Sequence, residues 1–195
     1  MTGIKLHYFS VYGKASATRM ILHYNSTPFE DHIIGIEDWP ALKQTALSEF
    51  GHLPVLEIDG LKLVQTRSIN RYLCQKFGYY PSNPYDIYLV ESLCDLKEDI
   101  LKEFMRAEAD SNLEETLVEE KVPSWLKMIE TRFASNPDNN HFVGEKTTLA
   151  DFEIFQLLVD QELYLLSPPL NEFCEGFLNS SQSLQTYIKS RPNRQ

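Results

Sequence analysis

Hydrophobic and polar positions follow two different periods along the first 80 residues. Residues 4–9 alternate between apolar and polar side chains, which is typical of a β-strand, and residues 15–24 then show helical spacing. Residues 30–34 predict a second short strand. Because two strands joined by a helix pair in parallel through a right-handed crossover, this order predicts a βαβ unit.

A β-hairpin is predicted around Asp59-Gly60. Alternating apolar runs lie on both sides of it, at residues 54–58 and 61–64, and Asp-Gly is among the strongest sequence signals for a two-residue hairpin turn. The hairpin adds antiparallel strands to the βαβ unit, so we expect a mixed sheet.

Two further helices are predicted in this region. One begins after Asp38, because Asp is a frequent helix N-cap and Trp39 and Pro40 follow it. Proline is tolerated in the first turn of a helix, since the backbone N–H that it lacks would have no hydrogen-bond partner there. Helical spacing returns over residues 65–77. The order β-α-β-α-β-β-α therefore predicts a small mixed sheet with helices on both faces.

Strand patterns disappear after a turn-rich segment at residues 79–84, which we interpret as a linker. The rest of the chain shows helical spacing, with an interruption or bend expected at Pro123. The predicted helices cover residues 85–110, 113–133, 148–166 and 184–189, with a polar loop at 136–141. The expected boundaries are 1–78 for the α/β domain, 79–84 for the linker and 85–195 for an all-helical domain.

Charge is divided unevenly between these two parts. The chain has 18 Lys and Arg against 28 Asp and Glu, a net charge of −10, which argues against nucleic acid and an anionic membrane as partners. Residues 1–80 carry 8 basic and 7 acidic side chains, whereas the remainder carries 10 and 21. A near-neutral first domain attached to an acidic second one is suited to binding a small anion in the first.

Composition excludes several other classes of protein. Hydrophobic residues make up 43% of the 195 residues and charged residues 24%, which excludes a disordered chain. No run approaches the roughly 18 apolar residues of a membrane span, and residues 1–5 lead into a strand pattern without the apolar core of a signal peptide. The three cysteines are widely spaced and the five histidines lack metal-ligand spacing. We therefore expect a cytoplasmic protein without disulfides or metal.

Tyr8 is the first candidate for chemistry. It lies at the predicted end of the first strand, before a turn that contains Gly13. Its side chain either packs in the core as an ordinary strand aromatic or points its hydroxyl across the mouth of the sheet.

Pro54 begins the first strand of the hairpin, where a missing N–H costs no ladder bond. A trans Leu53–Pro54 bond makes it an ordinary start of an edge strand. A cis bond instead turns the backbone N–H and C=O of Leu53 outward, where an extended peptide can pair with them.

Two groups of residues are candidates for carboxylate binding. Gln65 and Thr66 lie where the last strand turns into a helix. Thr66 can cap this helix, and the free N–H groups at its start can bind a carboxylate. Alternatively, the turn is a plain helix cap without a ligand. Trp39, Lys43 and Lys14 form a second clamp, or each is an ordinary solvated or half-packed side chain.

Together these segments resemble the cytosolic glutathione transferases over nearly the whole chain. Residues 5–15 resemble the start of the sigma class, in which the tyrosine is catalytic, and residues 36–40 with Lys43 match the sigma clamp for the glycine carboxylate. Residues 51–60 match the family's cis-proline strand and hairpin, and residues 64–73 are similar to both the sigma and alpha classes.

The resemblance implies a thioredoxin-like N-terminal domain, an all-α C-terminal helical bundle and a catalytic Tyr8 that donates a hydrogen bond to the sulfur of glutathione. Glutathione is then the co-substrate, and no metal is required. The implied glutathione-binding residues are Tyr8, Lys14, Trp39, Lys43, His52, Leu53, Pro54, Gln65 and Thr66. The implied contacts of a hydrophobic electrophile, expected between the two domains, are Tyr12, Leu101, Phe104 and Met105.

A homodimer is also implied. Asp95 by alpha-class spacing, or Asp99 by sigma-class spacing, fits the aspartate that reaches the glutathione of the partner subunit, and Phe50 lies where some classes place an interface aromatic. Residues 148–152 are similar to the family's buried capping motif, so Asp151 is interpreted as structural.

Four positions depart from the sigma-class pattern. Lys14 replaces an arginine, which keeps the charge and loses the bidentate fork, and Tyr12 replaces a commonly basic residue. Prostaglandin D synthases of this class have an aromatic where this chain has Glu153, and a tryptophan near the position of Arg106. Prostaglandin synthesis is therefore not supported by these positions.

The expected function is conjugation of the glutathione thiolate to small hydrophobic electrophiles. The alternative is a binding or structural module of the same fold without turnover, because a fold does not fix a function. A glutathione-dependent prostaglandin isomerase or peroxidase is a lesser alternative.

Overall fold

The computed structural model describes residues 3–136 and 140–191. Residues 137–139, which fall in the polar loop predicted at 136–141, lie outside the described residues, as do 1–2 and 192–195. The chain divides into two compact units. One comprises the residues up to Gly78 together with those from Ser181 onward, and the other runs from Tyr79 to Ser180.

The first unit is built on a four-stranded sheet in the order β2-β1-β3-β4. Strand β1 pairs with β2 in parallel and with β3 antiparallel, and β3 pairs with β4 antiparallel, so the predicted mixed sheet is confirmed. Asp59 and Gly60 both have positive φ, at 53° and 79°, as the two central residues of a tight hairpin turn require. The strands are β1 (Ile4–Tyr8), β2 (Phe29–Ile33), β3 (Val55–Ile58) and β4 (Leu61–Val64).

Three helices follow strands of this sheet in the chain. They are α1 (Ser16–Tyr24), α2 (Trp39–Leu42) and α3 (Thr66–Phe77). Helices α1 and α3 pack against each other, and the Thr18 hydroxyl donates a 2.6 Å hydrogen bond to the Asn70 side chain across this contact. Both residues are fully buried, so the bond joins the two helices inside the core.

The second unit is helical. Its main helices are α4 (Pro84–Ala109), α5 (Val122–Ala134), α6 (Leu149–Asp160) and α7 (Pro168–Asn179). Helix α6 is buried along nearly all its length. The Asp151 carboxylate accepts hydrogen bonds from the backbone N–H groups of Thr148, at 2.6 Å, and Phe142, at 2.8 Å. The structural role inferred for Asp151 agrees with this geometry.

Helix α6 ends earlier than the spacing predicts. The predicted helix ran to residue 166, but Glu162 adopts left-handed backbone geometry, with φ of 58°, and a 3₁₀ turn follows at Leu163–Leu166. The apolar run simply continues through this break, which is why spacing alone does not detect it. Helix α7 was not predicted, although Ser167 caps it and Pro168 begins it.

The segment before α5 is irregular, and the predicted interruption near Pro123 is confirmed. A π-helical turn at Leu117–Lys121 precedes α5, which places Pro123 in the first turn of a new helix. The missing N–H of a proline leaves no broken hydrogen bond at that position.

The last helix, α8 (Gln182–Ser190), belongs to the first unit rather than to the helical one. The Ser181 hydroxyl donates to the backbone oxygen of Tyr24 at 3.1 Å, and the Tyr187 ring stacks on His23 with 4.3 Å between centroids. The domain expected at 85–195 included this helix. In the structure this helix packs on α1, because the His23 ring and the backbone oxygen of Tyr24 at the end of α1 supply its partners.

None of the helices in the described part of the chain combines the length and apolar character that a membrane crossing requires.

Candidate active site

Tyr8 ends β1 with its side chain largely buried, at 7% exposure. The backbone N–H of Lys14 donates a 2.9 Å hydrogen bond to the phenolic oxygen. Burial raises the pKa of the phenol, while the bond from Lys14 and the positive charge of Arg19 act in the opposite direction. Because the oxygen is the acceptor in this bond, the phenolic O–H can still donate to another atom, and the raised pKa keeps that proton in place at neutral pH.

Gly13 lies directly against the hydroxyl of Tyr8. Its φ is +41°, and a Cβ placed on it would come 2.6 Å from the phenolic oxygen. A side chain at position 13 therefore cannot coexist with the observed position of the hydroxyl.

Arg19 holds the loop between Tyr8 and Lys14. Its side chain is 5% exposed and is paired with both carboxylate oxygens of Asp31, at 2.8 and 3.2 Å. The same guanidinium donates to the backbone oxygens of Val11, at 2.8 Å, and Phe9, at 3.2 Å. Its central carbon lies 5.6 Å from the centroid of the Tyr8 ring.

Strand register places three predicted site residues in one row. His7 pairs with Val55, and Val55 pairs with Val64. Tyr8, Pro54 and Gln65 are the next residues along these strands at the same edge of the sheet. Neighbouring strands are about 4.8 Å apart, so the row spans roughly 10 Å.

The Leu53–Pro54 bond is cis, which decides between the two alternatives left open by the sequence. The preceding turn is fixed by Ser48, whose hydroxyl donates to the backbone oxygen of His52 at 2.7 Å and accepts from its N–H at 3.1 Å. The imidazole of His52 is exposed and lies 2.7 Å from the backbone oxygen of Phe50.

Gln65 and Thr66 form the junction between β4 and α3. Thr66 is the first residue of the helix rather than its cap; Gln65 occupies the capping position with φ of 71° and makes no side-chain capping bond. Within the described residues, the Thr66 hydroxyl oxygen is buried and has no hydrogen-bond partner. A buried polar atom of this kind at the start of a helix fits an anionic or amide group of a ligand.

Trp39 and Lys43 are one helical turn apart, and the N–H of Lys43 donates to the backbone oxygen of Trp39 at 2.8 Å. The half-buried Trp39 ring meets Phe9 edge-on at 6.3 Å, and Phe9 lies 5.5 Å from the ring of Tyr8. A row of aromatic contacts thus joins the clamp predicted at α2 to the candidate catalytic residue. Asp38 occupies the N-cap position of α2, but its side chain makes no capping bond.

Of the predicted electrophile contacts, Tyr12 lies in the first unit and the three residues on α4 lie in the second. The guanidinium of Arg191 lies 4.1 Å over the ring of Tyr12, in the first unit. In the second unit, the Phe104 ring lies 6.1 Å from Trp125, Leu101 is half-buried, and Met105 is 61% exposed.

The two aspartates predicted to reach a partner subunit are both exposed on α4. Asp99 pairs with Lys102 at 2.9 Å. Exposure leaves either carboxylate accessible to a second chain.

Sequence reasoning missed Arg19 and Asp31. A signal was available: residues 15–22 carry mostly small and apolar side chains, which is typical of a buried helix, with one basic side chain among them. The structure buries all eight residues, and a buried cation needs a partner. The sequence does not say which acidic residue that partner is.

Models of two protein domains match this chain. The N-terminal domain of glutathione S-transferase matches residues 4–75, and the C-terminal domain of glutathione S-transferase matches residues 94–193. Each match falls on one of the two parts recognised in the sequence.

The chain belongs to the glutathione S-transferase family.

Similar proteins include named glutathione S-transferases and a prostaglandin D synthase. The chain is 31% identical to glutathione S-transferase 1 of Ascaris suum over 202 residues, covering 99% of this chain and 94% of that one. It is 33% identical to the hematopoietic prostaglandin D synthase of Gallus gallus over 156 residues, covering 78% and 76%. The solved structure of monomeric Na-GST-3, a glutathione S-transferase of the hookworm Necator americanus, superposes with a TM-score of 0.84 at 26% identity, covering both chains completely.

These similarities confirm two of the predictions. The glutathione S-transferase fold, with its thioredoxin-like N-terminal domain and helical C-terminal domain, is confirmed, as is the prediction of an enzyme of this family. The family uses glutathione as its co-substrate.

Proposed function

We propose that this glutathione S-transferase conjugates the thiolate of glutathione to small hydrophobic electrophiles, and that Tyr8 keeps the sulfur anionic by donating a hydrogen bond. One observation carries the proposal: the phenolic oxygen of Tyr8 accepts the Lys14 N–H at 2.9 Å, which leaves its own proton available. The raised pKa of the phenol favours donation of that hydrogen bond over loss of the proton.

The energy required is within reach of one hydroxyl. A cysteine thiol has a pKa near 8.5, so only a few per cent is ionised at neutral pH. Lowering that pKa by two units requires about 2.7 kcal/mol. A hydrogen bond to a charged group contributes about 1.5–3 kcal/mol, and Lys14 with nearby backbone dipoles can supply the remainder.

The residues of the first unit suit the two ends of an extended tripeptide. We assign the γ-glutamyl carboxylate to Gln65 and Thr66, because the Thr66 oxygen is buried without a partner at the start of α3. We assign the glycyl carboxylate to Trp39 and Lys43, with Lys14 adding positive charge.

The peptide backbone of glutathione is assigned to Leu53. This residue precedes the cis Pro54 and lies outside the paired part of β3, with His52 before it. Its backbone groups can therefore pair with an extended ligand as an added strand would.

The electrophile contacts stay a proposal. Tyr12, Leu101, Phe104 and Met105 were inferred from resemblance, and the exposure of Met105 is consistent with such a role. The assignment to the sigma class rests on the segments around Tyr8 and Trp39, and a cytoplasmic location stays a prediction.

Comparison of the wild type with Tyr8→Phe tests the proposal. With chloro-dinitrobenzene as electrophile, we expect kcat/KM of the variant to fall about 10- to 100-fold at neutral pH, since about 1.5–3 kcal/mol of thiolate stabilisation is lost. The pH midpoint of the kcat/KM profile should rise toward that of free glutathione. An unchanged profile would remove Tyr8 from the mechanism.

A second candidate activity is glutathione-dependent prostaglandin isomerisation. It is favoured by the 33% identity to a protein named hematopoietic prostaglandin D synthase. Glu153 argues against it, because this side chain is 3% exposed and paired with Lys97 at 2.8 Å, where those enzymes are expected to carry an aromatic residue. A direct assay for prostaglandin D formation with glutathione decides between the two.

A homodimer is proposed from the same resemblance. Phe50 is 53% exposed despite being a large apolar side chain, and Asp95 and Asp99 are exposed on α4. The solved structure of Na-GST-3 is described as monomeric, so the oligomeric state of this chain needs its own measurement.

A further inference from the structure

We propose that Arg19 is a positioning residue for Tyr8: its guanidinium fixes the loop that brings the Lys14 N–H to the phenolic oxygen. The inference rests on the role proposed above for Tyr8. It adds a residue that neither the sequence motifs nor the resemblance assigned.

The contacts of Arg19 span both sides of Ser10. Its two terminal nitrogens donate to the backbone oxygens of Phe9 and Val11, at 3.2 and 2.8 Å. Phe9 directly follows Tyr8, and Val11 comes two residues later; the loop that they begin ends at Lys14, whose N–H donates to the Tyr8 hydroxyl oxygen. The planar fork of an arginine can hold two carbonyls at once, whereas a lysine ammonium acts as a point charge.

Asp31 fixes the guanidinium itself. Its carboxylate binds Arg19 through two oxygens, at 2.8 and 3.2 Å, from the neighbouring strand β2. Within β1 and β2, the register pairs Leu6 with Asp31 and Tyr8 with Ile33. The loop is therefore anchored to the sheet through an ion pair with bidentate geometry.

The same arrangement sets the charge near the phenol. Arg19 lies 5.6 Å from the ring centroid and lowers the pKa of Tyr8, against the effect of burial. Asp31 partly neutralises that positive charge. The groups that act on the phenol are thus Arg19 from α1, the backbone N–H of Lys14 and, through Arg19, Asp31 from β2.

Two substitutions in one ion pair should therefore act in opposite directions. Arg19→Met removes the cation and the two carbonyl contacts, which weakens Tyr8 as a hydrogen-bond donor. Asp31→Asn leaves the cation less neutralised, which makes the phenol more acidic. Loss of folding stability alone would impair both variants in the same direction, so opposite shifts identify an effect on Tyr8.

The experiment measures three quantities at 25 °C: the pH profile of kcat/KM, the ultraviolet titration of the Tyr8 phenol and the thermal unfolding midpoint. The phenol titration is obtained by subtracting the titration of Tyr8→Phe. Arg19→Lys tests whether charge without the fork is sufficient. Lys76→Gln is the matched control, since it breaks an ion pair of 2.7 Å with Asp59 elsewhere in the same unit.

We expect Arg19→Met to raise the pH midpoint of kcat/KM by about one pH unit and to lower kcat/KM at neutral pH about tenfold. The pH midpoint and the kcat/KM of Arg19→Lys should lie between those of Arg19→Met and the wild type. Asp31→Asn should lower the midpoint of the ultraviolet titration of the Tyr8 phenol. Lys76→Gln should change neither this titration nor the pH profile of kcat/KM. In the Tyr8→Phe background, Arg19→Lys should have no further effect on the pH midpoint, because the group it acts through is gone.

Three results would overturn the inference. The first is an equal shift by Arg19→Lys with and without Tyr8. The second is a shift of the phenol titration midpoint in the same direction for Asp31→Asn and Arg19→Met. The third is an unchanged pH profile in all Arg19 variants that fold. If Tyr8→Phe itself leaves the profile of the wild type unchanged, the proposed function fails first, and that outcome is separate from these three.

Discussion

The backbone N–H of Lys14 and the hydroxyl oxygen of Tyr8 are 2.9 Å apart, and the N–H is the donor. The side chain of Lys14 is exposed and takes no part in this bond. Residue 14 therefore contacts the phenol through its backbone N–H, which every residue type except proline has. The replacement of a family arginine by Lys14 leaves this contact intact.

Gly13→Ala should abolish most activity at a modest cost in stability. A Cβ at this position would lie 2.6 Å from the Tyr8 hydroxyl, so the phenol must move, and the φ of +41° adds about 1 kcal/mol of backbone strain. Kinetics with chloro-dinitrobenzene and thermal unfolding measure the two effects.

Gly60→Ala is the control for this prediction. Its φ is +79°, and a Cβ there meets nothing within 4 Å. We expect a similar loss of stability with unchanged kcat/KM. Equal activity losses in the two variants would show that strain, rather than displacement of Tyr8, reduces catalysis.

Part of the site could be predicted from the sequence because its positions follow from strand periods and the hairpin. Once Asp59-Gly60 fixes the hairpin, the antiparallel register of β3 and β4 brings Pro54 and Gln65 to the same edge of the sheet as Tyr8. These relationships are local or nearly so. The family resemblance then supplied the chemistry of each position.

The contacts of Arg19 could not be predicted in the same way. Its partners are two loop carbonyls and an acidic residue on another strand, and no period in the sequence specifies such pairings. The packing of α8 on α1 was missed for a related reason. Its partners, His23 and Tyr24, lie more than 150 residues earlier in the chain.

Removing one partner of the ion pair between Lys97 and Glu153 should lower the free energy of unfolding more than replacing both partners with apolar residues. The two side chains are 5% and 3% exposed and lie 2.8 Å apart. Glu153→Leu leaves a buried ammonium beside Glu98, at 3.3 Å, and should lower the free energy of unfolding by about 3 kcal/mol. The double variant Lys97→Met/Glu153→Leu should recover most of this loss, because no buried charge remains unpaired.

Urea denaturation of the single and double variants measures this recovery. Lys102→Gln is the matched control, since it breaks an exposed pair with Asp99 and should change stability by no more than about 0.5 kcal/mol. A double variant that is as destabilised as the single variant would mean that the pair itself, rather than the avoidance of unpaired charge, stabilises the fold.

Lys43→Gln should raise the KM for glutathione about two- to fivefold with little change in kcat. The side chain is exposed, so its contact with a carboxylate is weakened by solvent and contributes only about 0.5–1 kcal/mol. Lys62→Gln, which alters another exposed lysine of the same unit, should leave KM unchanged. With the glycyl ester of glutathione as substrate, the difference between wild type and Lys43→Gln should disappear; a persistent difference would place Lys43 elsewhere than the glycyl carboxylate.

Phe50→Ser should shift the protein from dimer to monomer in sedimentation velocity. Phe50 is 53% exposed, and covering a large aromatic side chain is the kind of burial that stabilises an interface. Leu61→Ser removes another exposed apolar side chain, at 48% exposure, and should leave the dimer intact. A wild-type monomer with full turnover would contradict both the dimer and the proposed role of Asp95 or Asp99.

Thr66→Val should weaken glutathione binding without destabilising the protein. Among the described residues, the Thr66 hydroxyl oxygen has no partner although it is buried, so the free protein already bears the desolvation cost of this group. Valine has nearly the same shape and no polar atom to leave unsatisfied. The thermal midpoint of the variant should therefore stay the same or rise.

Calorimetric titration with glutathione should instead show an affinity about five- to tenfold lower, corresponding to the loss of one hydrogen bond of about 1–1.5 kcal/mol. Thr66→Ser keeps the hydroxyl and should retain near wild-type affinity, which separates the oxygen from the shape of the side chain. Equal affinities of the Val and Ser variants would remove Thr66 from the site of the γ-glutamyl group. A marked fall in the thermal midpoint of Thr66→Val would show that the hydroxyl makes a hydrogen bond within the free protein and is not available to a ligand.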